Sequence, residues 1–223
     1  MNRSFLLALV AFSISANAGV ITFVSTRTGL GANDLVTWGL ASEDGATYSS
    51  PRTRVSTGGV TAIATLTGGA FTIFENNGIN QSMSSNFATG DIILDTAMND
   101  GPVTITFDSA VSAVGFQMQH LTLGGFNGTL SAYDSSNNLM GTVNASGTTG
   151  FDNDGSAVFL GARSSLRDIM SIQISVDQQG GTTAFSINQM SLDTLDPSTG
   201  IPEPSTFALV AGALAAFSFY RRK

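Results

Sequence analysis

Between positions 19 and 196, three aromatic residues join a flat apolar ring to a polar group, namely Trp38, Tyr48 and Tyr133. Trp38 is the only tryptophan, and Glu43 and Asp44 follow it within six positions. Aromatic rings beside carboxylates suit sugar binding, because the ring stacks on the apolar face of a pyranose while the acids accept hydrogen bonds from its hydroxyls. The three aromatic residues are therefore the candidate ligand-binding residues. Burial of Trp38 in a core is the alternative.

A group of carboxylates suggests a metal ion. The run Asp152-Asn153-Asp154-Gly155 places oxygen ligands at alternate positions, as the first half of a calcium loop does. An EF-hand would then need a glutamate where this chain has Arg163. Asp152 and Asp154, together with Asp134, are thus candidate ligands of a structural calcium ion held by separate loops, and no other cofactor is expected. The alternative is that each aspartate forms an Asx-turn.

Hydrolytic chemistry has few candidate residues. His120 is the only histidine, which excludes a two-histidine metal site, and the chain has no Gly-x-Ser-x-Gly elbow for a serine nucleophile. A glycosidase needs two facing carboxylates, but most of the acidic residues stand beside Gly, Asn or Ser, where aspartate usually forms turns. We expect His120 to be a turn or surface residue at the end of a strand, and we expect no catalytic residues.

The charge of the chain limits its possible partners, and its lack of cysteine limits how the fold can be stabilised. The chain has 9 Lys+Arg, 16 Asp+Glu and a formal net charge of -7. Four of the cations and one acid lie near the two ends, so the body between them carries five Arg, fifteen acids and a net charge of about −10. Phosphate binding requires clustered cations, so nucleic acid is not an expected partner. The chain has no cysteine, so a packed core must stabilise it.

Short strands are the elements that must position these residues. Val103 to Phe107 and Ile172 to Val176 alternate apolar and polar side chains, which places one face of each segment on a core. Nine further strands are predicted at 20–24, 60–66, 70–74, 92–94, 113–118, 129–133, 139–143, 157–160 and 184–187, with Gly- and Asn-rich turns between them. A single short turn of helix is predicted at 164–168.

This pattern predicts an all-β fold, an antiparallel β-sandwich of the jelly-roll type. Phe107 and Phe116 should both point into the sandwich, because each continues an alternating apolar face. In the last strand the apolar residues change parity between Ile187 and Met190. A β-bulge is therefore expected near Asn188 or Gln189.

Both ends of the chain look like processing signals, so the folded domain is expected at 19–196. Residues 1–18 contain a lone Arg3, an apolar stretch from Phe5 to Ile14, and small residues at Ala16 and Ala18. This order is typical of a secretory signal peptide that signal peptidase cleaves before Gly19. The sequence therefore predicts export.

Residues 197–223 are expected to form a linker and a second signal. Pro202-Glu203-Pro204 precedes an uncharged stretch that ends at Tyr220, and Arg221, Arg222 and Lys223 follow it. A transmembrane helix over 205–220 would be roughly 24 Å long at about 1.5 Å per residue, which is short for about 30 Å of bilayer hydrocarbon. By the positive-inside rule, the terminal cations stay in the cytoplasm and the body lies outside.

This tail resembles the PEP-CTERM sorting signal of Gram-negative bacteria that make extracellular polysaccharide. The matching residues are Pro202, Glu203, Pro204 and Ser205 in the motif and Arg221, Arg222 and Lys223 at the basic end. The same segment is also named after the C-terminus of certain ice-binding proteins, a label that concerns sorting. The resemblance implies an exosortase-like membrane protease as partner, a precursor anchored in the inner membrane, and removal of the tail before the protein reaches the cell surface. An ordinary tail anchor is the alternative.

The body resembles PEP-CTERM proteins with a lectin-like or carbohydrate-binding-module-like sandwich. The matching positions are Asn86-Phe87, Gly90-Asp91, Leu94, Pro102, Ile105, Phe107, Val111, Val114-Gly115-Phe116, Ala132-Tyr133-Asp134, Leu139, Gly141, Ala157, Phe159-Leu160-Gly161, Phe185 and Ile187-Asn188. They cover most of 34–192, and nearly all are core or turn positions. The resemblance therefore implies a fold and no chemistry.

Three functions fit these observations, in descending order. The first is an exported, non-catalytic protein of the cell surface or extracellular matrix, linked to exopolysaccharide or biofilm. The second is a carbohydrate-binding module, with or without a calcium requirement. The third is a polysaccharide hydrolase.

Overall fold

The computed structural model describes residues 19–77, 85–178 and 181–197. Within these ranges the chain forms sixteen strands, one α-helix and one 3-10 turn at Ala41–Glu43. The strands are β1 (Ile21–Val24), β2 (Asp34–Val36), β3 (Thr47–Ser49), β4 (Arg52–Val55), β5 (Thr61–Leu66), β6 (Ala70–Glu75), β7 (Ile92–Asp95), β8 (Val103–Val111), β9 (Ala113–His120), β10 (Gly124–Tyr133), β11 (Leu139–Thr149), β12 (Val158–Ser164), β13 (Ile169–Gln178), β14 (Gly181–Thr182), β15 (Phe185–Ile187) and β16 (Met190–Asp193). The helix, α1, is Arg27–Leu30.

The strand pairs of the described residues are all antiparallel, and they form two sheets. Sheet 1 has nine strands: seven in the order β1-β12-β9-β15-β7-β6-β3, then β16 beside β9 and β2 beside β16. Sheet 2 has seven strands: six in the order β11-β10-β13-β8-β5-β4, then β14 beside β13. The expected all-β class and antiparallel pairing are confirmed.

The two sheets share one hydrophobic core. Phe116 and Met118 of β9 reach it from sheet 1, while Phe107 of β8 and Ile174 of β13 reach it from sheet 2. Phe116 is 0% exposed and Phe107 is 4% exposed, so the expected orientation of both rings is confirmed. Full burial of such a side chain contributes about 1.5–3 kcal/mol, and this shared core therefore holds the sheets face to face.

The outer faces of the two sheets differ in their cover. On sheet 1, α1 and the loops at 85–91 and 150–157 lie over β9, and its outward residues are mostly buried. On sheet 2, burial alternates along β8, β10 and β13, as the alternation of apolar and polar residues predicts. The outer face of sheet 2 is therefore open to solvent.

The expected bulge interrupts sheet 1 between β15 and β16. Ile187 pairs with Met118 of β9, whereas Ser191 pairs with Gly115. From Ile187 to Ser191 the chain advances four positions, while the paired residues of β9 advance three, from Met118 to Gly115. The one extra residue defines a bulge. Asn188 occupies this break with its side chain fully buried. The bulge is confirmed, and it returns the apolar residues of β16 to the shared core.

Local structure differs from the expectation in two places. Each of the eleven expected strands overlaps an observed strand, but the sequence pattern does not predict β2, β3, β4 or β14, and it treats β15 and β16 as one last strand. The helical turn expected at 164–168 is wrong, because this segment is a bend closed by a 2.6 Å hydrogen bond from the Ser164 hydroxyl to Asp168. The helix forms instead at Arg27–Leu30, where Thr26 Oγ1 accepts from the Gly29 N–H over 3.0 Å and caps the first turn.

The two expected sorting segments lie outside the described residues. This holds for the signal peptide at 1–18, the helix at 205–220, and the motif residues Pro202, Glu203, Pro204, Arg221, Arg222 and Lys223. These expectations stay predictions. Within 19–77, 85–178 and 181–197, no helix is long and apolar enough to cross a membrane.

Candidate functional site

The outer face of sheet 2 is built from the polar half of each alternating strand. In β10, Leu130 and Ala132 point into the core, so Thr129, Ser131 and Tyr133 point outward. The same alternation in β8 and β13 turns a set of hydroxyl and amide side chains outward: Thr104, Thr106, Ser171, Gln173 and Ser175. The fold thus gathers polar side chains from separate strands onto one surface.

Strand register arranges these side chains in rows that cross the sheet. The middle row is Thr142, Ser131, Gln173, Thr104 and Thr65, on β11, β10, β13, β8 and β5. The row on one side consists of Asn144, Thr129 and Ser175. The row on the other side consists of Leu139, Tyr133, Ser171, Thr106, Ile63 and Thr53. With about 4.8 Å between strands, five strands extend over roughly 19 Å. We call these three rows the open face.

The open face forms hydrogen bonds but carries no charge. Its rows contain no Asp, Glu, Lys or Arg, although the body as a whole carries about −10. Neighbouring side chains hold one another, since the Ser131 and Thr142 hydroxyls are 2.9 Å apart and Thr129 donates to Asn144 over 2.8 Å. These rows offer donors and acceptors to a neutral polar polymer, and the exposed Asp108 and Asp177 lie one outward position beyond them, on β8 and β13.

Tyr133 is the aromatic residue of the open face. It is partly exposed and pairs with Ser171 on one side and Leu139 on the other. Leu139 is 59% exposed, so the two side chains make a small apolar area at the edge of the hydroxyl rows. A ring in this setting can stack on the apolar side of a sugar while the rows accept and donate hydrogen bonds. Tyr133 therefore stays a candidate ligand-binding residue.

Trp38 is wrong as a candidate ligand-binding residue, because its ring has no exposed surface. The side chain is 0% exposed and belongs to the shared core, where its indole N–H donates to the Asn188 carbonyl over 3.1 Å. Burial of so large a ring is favourable, and the unpaired carbonyl of the bulge supplies the hydrogen-bond partner that a buried indole needs. The alternative of a core tryptophan is confirmed.

Tyr48 takes part in an ion cluster at the edge of sheet 1. Its hydroxyl donates to Glu43 Oε1 over 2.6 Å, and the Arg52 guanidinium lies 3.6 Å from its ring centre. Arg52 also donates to Glu43 Oε1 over 2.9 Å, and Arg54 donates to Oε2 over 2.5 Å. One ring face and the hydroxyl are thus occupied, and Tyr48 lies on a different sheet from Tyr133. The structure does not bring the three expected aromatic residues together.

This ion cluster joins the two sheets, because Tyr48 belongs to β3 of sheet 1 while Arg52 and Arg54 belong to β4 of sheet 2. Hydrogen bonds from Tyr48, Arg52 and the Leu40 N–H, with the charge of Arg54, outweigh burial and lower the pKa of Glu43 to about 2. The bond to Glu43 also raises the pKa of the Tyr48 hydroxyl. A carboxylate held ionised in this way does not serve as a general acid near neutral pH.

The three candidate calcium ligands lie at opposite ends of β11, so a site shared by all three is wrong. Asp134 closes the turn before β11 by accepting from the Ser136 and Asn138 N–H groups, each over 2.8 Å. Hydrogen bonds from Asn138 and Ser136 also lower its pKa. Asp152 and Asp154 follow the far end of this eleven-residue strand, which spans roughly 36 Å.

Asp152 and Asp154 lie together in the exposed loop after β11. Asp154 Oδ1 accepts from the Ser156 N–H over 2.9 Å, and bonding to Ser156 lowers its pKa, as in the alternative Asx-turn. In the part of the chain that the structure describes, no three His, Cys, Asp or Glu side chains come together as a metal site requires. Two aspartates do not fit the six to eight oxygen ligands of a calcium ion.

Other ionisable groups are engaged in the fold. His120 ends β9 as expected, but it is buried and not on the surface: Nδ1 lies 2.9 Å from the Thr122 carbonyl and Nε2 lies 2.8 Å from Thr183 Oγ1. Asp95 accepts from the Ser186 hydroxyl over 2.6 Å and from the Ala97 N–H over 2.7 Å. Burial nevertheless raises the pKa of Asp95 above its usual value.

Two clefts flank α1 on the covered side of the molecule, with volumes of about 470 and 550 Å³. Arg27 lines both of them. Asp34 lines the first, where it accepts from the Thr57 hydroxyl over 2.8 Å. Asp91 and Gln117 line the second, and both are bonded to Asn188. Asp34, Asp91 and Gln117 are thus already engaged in hydrogen bonds that hold the surrounding loops in place.

Sequence reasoning missed the hydroxyl rows, although part of the signal was present. The threonines of Val103-Thr-Ile-Thr-Phe107 mark the outward positions of one strand, but no single strand reveals which strands lie beside it. It also missed Phe151, a 61% exposed aromatic residue beside Asp152. An isolated Phe in a Gly- and Asp-rich loop was the available signal there.

Comparison with known proteins assigns no family to this chain. No family model matches the chain, and no curated protein matches it. A solved structure of a DUF4465 family protein from Bacteroides caccae is similar at 13% identity and a TM-score of 0.45, covering 73% of this chain and 100% of that chain. A likeness of this size says nothing about function.

Proposed function

We propose that this chain is an exported, non-catalytic protein of the cell surface or extracellular matrix, and that it contacts uncharged polysaccharide through the open face. The observation that carries the proposal is the face itself. It is a neutral hydrogen-bonding surface, three rows deep, with Tyr133 beside its middle row.

Delivery to the surface rests on the two terminal segments. Signal peptidase removes residues 1–18, and the tail anchors the precursor in the inner membrane until an exosortase-like protease reads Pro202-Glu203-Pro204 and removes it. The support is the order of motif, apolar stretch and basic end in the sequence. Mass spectrometry of surface-localised protein is expected to find no peptide covering Phe207 to Arg221. Recovery of that peptide from surface protein would establish the tail-anchor alternative.

Sugar contact through an open sheet face is expected to be weak. A shallow surface buries little of a sugar and leaves most of its hydroxyls hydrated, so each residue of the polymer contributes little. Affinity would then come from several sugars lying along the roughly 19 Å of the middle row. Long polymers should consequently bind better than short oligosaccharides.

A glycan array on purified residues 19–196, with and without Ca²⁺, tests this function. Binding to neutral polysaccharides that falls in Tyr133→Ala is the expected result. Phe151→Ala is the matched control, since Phe151 is also an exposed aromatic residue but lies outside the open face. Loss of binding in Phe151→Ala alone would move the site to the loop at 150–157, and binding only with Ca²⁺ would contradict contact through the open face, whose rows contain no carboxylate.

A further inference from the structure

The start of the body is enclosed by the bend at 164–168. Gly19 is buried although it precedes the first strand. Its main-chain nitrogen donates to Asp168 Oδ2 over 2.6 Å, while Oδ1 of the same carboxylate accepts from the Ser164 hydroxyl over 2.6 Å. Val20 donates to Ser165 Oγ over 3.0 Å and accepts from the Ser165 N–H over 3.1 Å. The bend thus surrounds residues 19 and 20.

Only glycine fits at position 19. A Cβ there would collide with the Ser164 hydroxyl and would lie 3.0 Å from both an Asp168 carboxylate oxygen and the Leu166 nitrogen. The space around Gly19 is therefore matched to a main chain without a side chain. The residue that the sequence places directly after the signal-peptide cleavage site is also the residue that this pocket requires.

We propose that this pocket binds the α-ammonium group of Gly19 that signal-peptide cleavage creates, with Asp168 as its counter-ion. The proposal rests on the proposed export step, which places cleavage between Ala18 and Gly19. Hydrolysis breaks that C–N bond: the oxygen of water joins the Ala18 carbonyl carbon to give a carboxylate, and the two protons of water pass to the Gly19 nitrogen. The nitrogen bonded to Asp168 thereby changes from a neutral amide into an ammonium.

This change strengthens a contact that the fold already makes. The amide donor is neutral, whereas an ammonium places a full positive charge beside the Asp168 carboxylate and so adds Coulomb attraction to the hydrogen bond. Capture of an N-terminal amine by a prepared polar pocket is a known mode of recognition. The pocket also joins the entry of β1, at the edge of sheet 1, to the connection between β12 and β13. Processing should therefore raise the stability of the exported body.

The test compares three forms of the chain, each ending at Lys223 and all in the same detergent. The first begins at Gly19 with a free amine, the second begins at an acetylated Gly19, and the third retains Ala18. A fusion partner whose protease leaves no extra residue supplies the free amine. The free amine is expected to raise the Tm by roughly 2–4 °C over both blocked forms, as expected for a domain of this size. In Asp168→Asn this difference should vanish, whereas Asp100→Asn, which changes an exposed loop residue, should retain it.

Equal Tm values for the free and blocked forms would overturn the proposal, and so would a difference that persists in Asp168→Asn. If Asp168→Asn fails to fold, the titration of the Gly19 amine by ¹⁵N NMR in the unmodified chain decides. A pKa above about 8 supports the ion pair, and an ordinary or lower value refutes it. N-terminal sequencing of exported protein is a separate experiment: a first residue other than Gly19 would refute the export step without altering the stability result.

Discussion

The indole N–H of Trp38 donates to the main-chain carbonyl of Asn188, 3.1 Å away and 150 positions along the chain. The carbonyl lies in the bulge that separates β15 from β16, and the indole lies in the core between the sheets. The Asn188 side chain donates to Gln117 Oε1 and to Asp91 Oδ2, on the covered side of sheet 1. This residue therefore links the core to the loops that cover sheet 1.

Trp38→Phe should destabilise the fold without changing polysaccharide binding. The substitution leaves the buried Asn188 carbonyl without its donor, which costs about 1–3 kcal/mol. Urea unfolding followed by circular dichroism measures the loss. Tyr133→Phe is the control, because it changes a partly exposed residue and should stay within about 0.5 kcal/mol. Unchanged stability of Trp38→Phe would mean that the indole does not hold the bulge.

Phe107→Ala and Phe116→Ala should each lower the free energy of unfolding by about 3–5 kcal/mol. Both rings are buried in the shared core, one from each sheet, so truncation removes burial and leaves a cavity. Chemical denaturation of the purified body measures both changes. A loss below about 1 kcal/mol at both positions would contradict the strand register described here.

Glu43→Gln should weaken the fold by about 1–3 kcal/mol near neutral pH, because Arg52 and Arg54 lose a charged partner. The pKa of Glu43 is lowered from 4.5 to about 2, so its contribution is complete above pH 4.5 and is lost as the pH falls toward 2. The stability difference between the two proteins should shrink over that range. Glu75→Gln, at the end of β6, is the matched control. A difference independent of pH would refute the ion cluster.

Asp95→Asn should become more stable relative to the unmodified protein as the pH rises from about 3 to 7. Burial raises the pKa of Asp95, so ionisation of this carboxyl is less favourable in the folded chain than in the unfolded one. The contribution of the Asp95 carboxyl to stability consequently falls over this range, whereas that of an amide, which carries no charge, does not change. Thermal unfolding at a series of pH values measures the difference, and a trend of opposite sign would contradict the buried, desolvated carboxyl.

The strands were predictable because their alternation is local, whereas the candidate site depends on contacts between distant segments. The parity change between Ile187 and Met190 predicts the bulge correctly, since a core face must be regained after an extra residue. Trp38 shows the limit of such reasoning. Its partner is a carbonyl of that bulge, and no pattern around position 38 reveals a bond to residue 188.

The open face could not be predicted from the sequence for a related reason. Thr104 and Ser131 become part of one row only through the pairing of β8 and β10 with β13, whose register is set by the whole sheet. Asp134 and Asp154 illustrate the reverse case. Similar turn sequences made them look like members of one site, and the length of β11 keeps them apart.

Charge placed on the open face tests the central claim most directly. Thr142 and Thr106 are exposed residues of two neighbouring rows, so a Thr142→Glu, Thr106→Glu double variant should fold while forcing bound sugar to desolvate two carboxylates. Ser42→Glu with Thr28→Glu adds the same charge at exposed positions off this face. Co-sedimentation with the neutral polysaccharide selected on the array should show at least a roughly tenfold weaker Kd for the first variant, which corresponds to about 1.4 kcal/mol, and an unchanged Kd for the second. Equal binding by both variants would contradict polysaccharide contact through the open face.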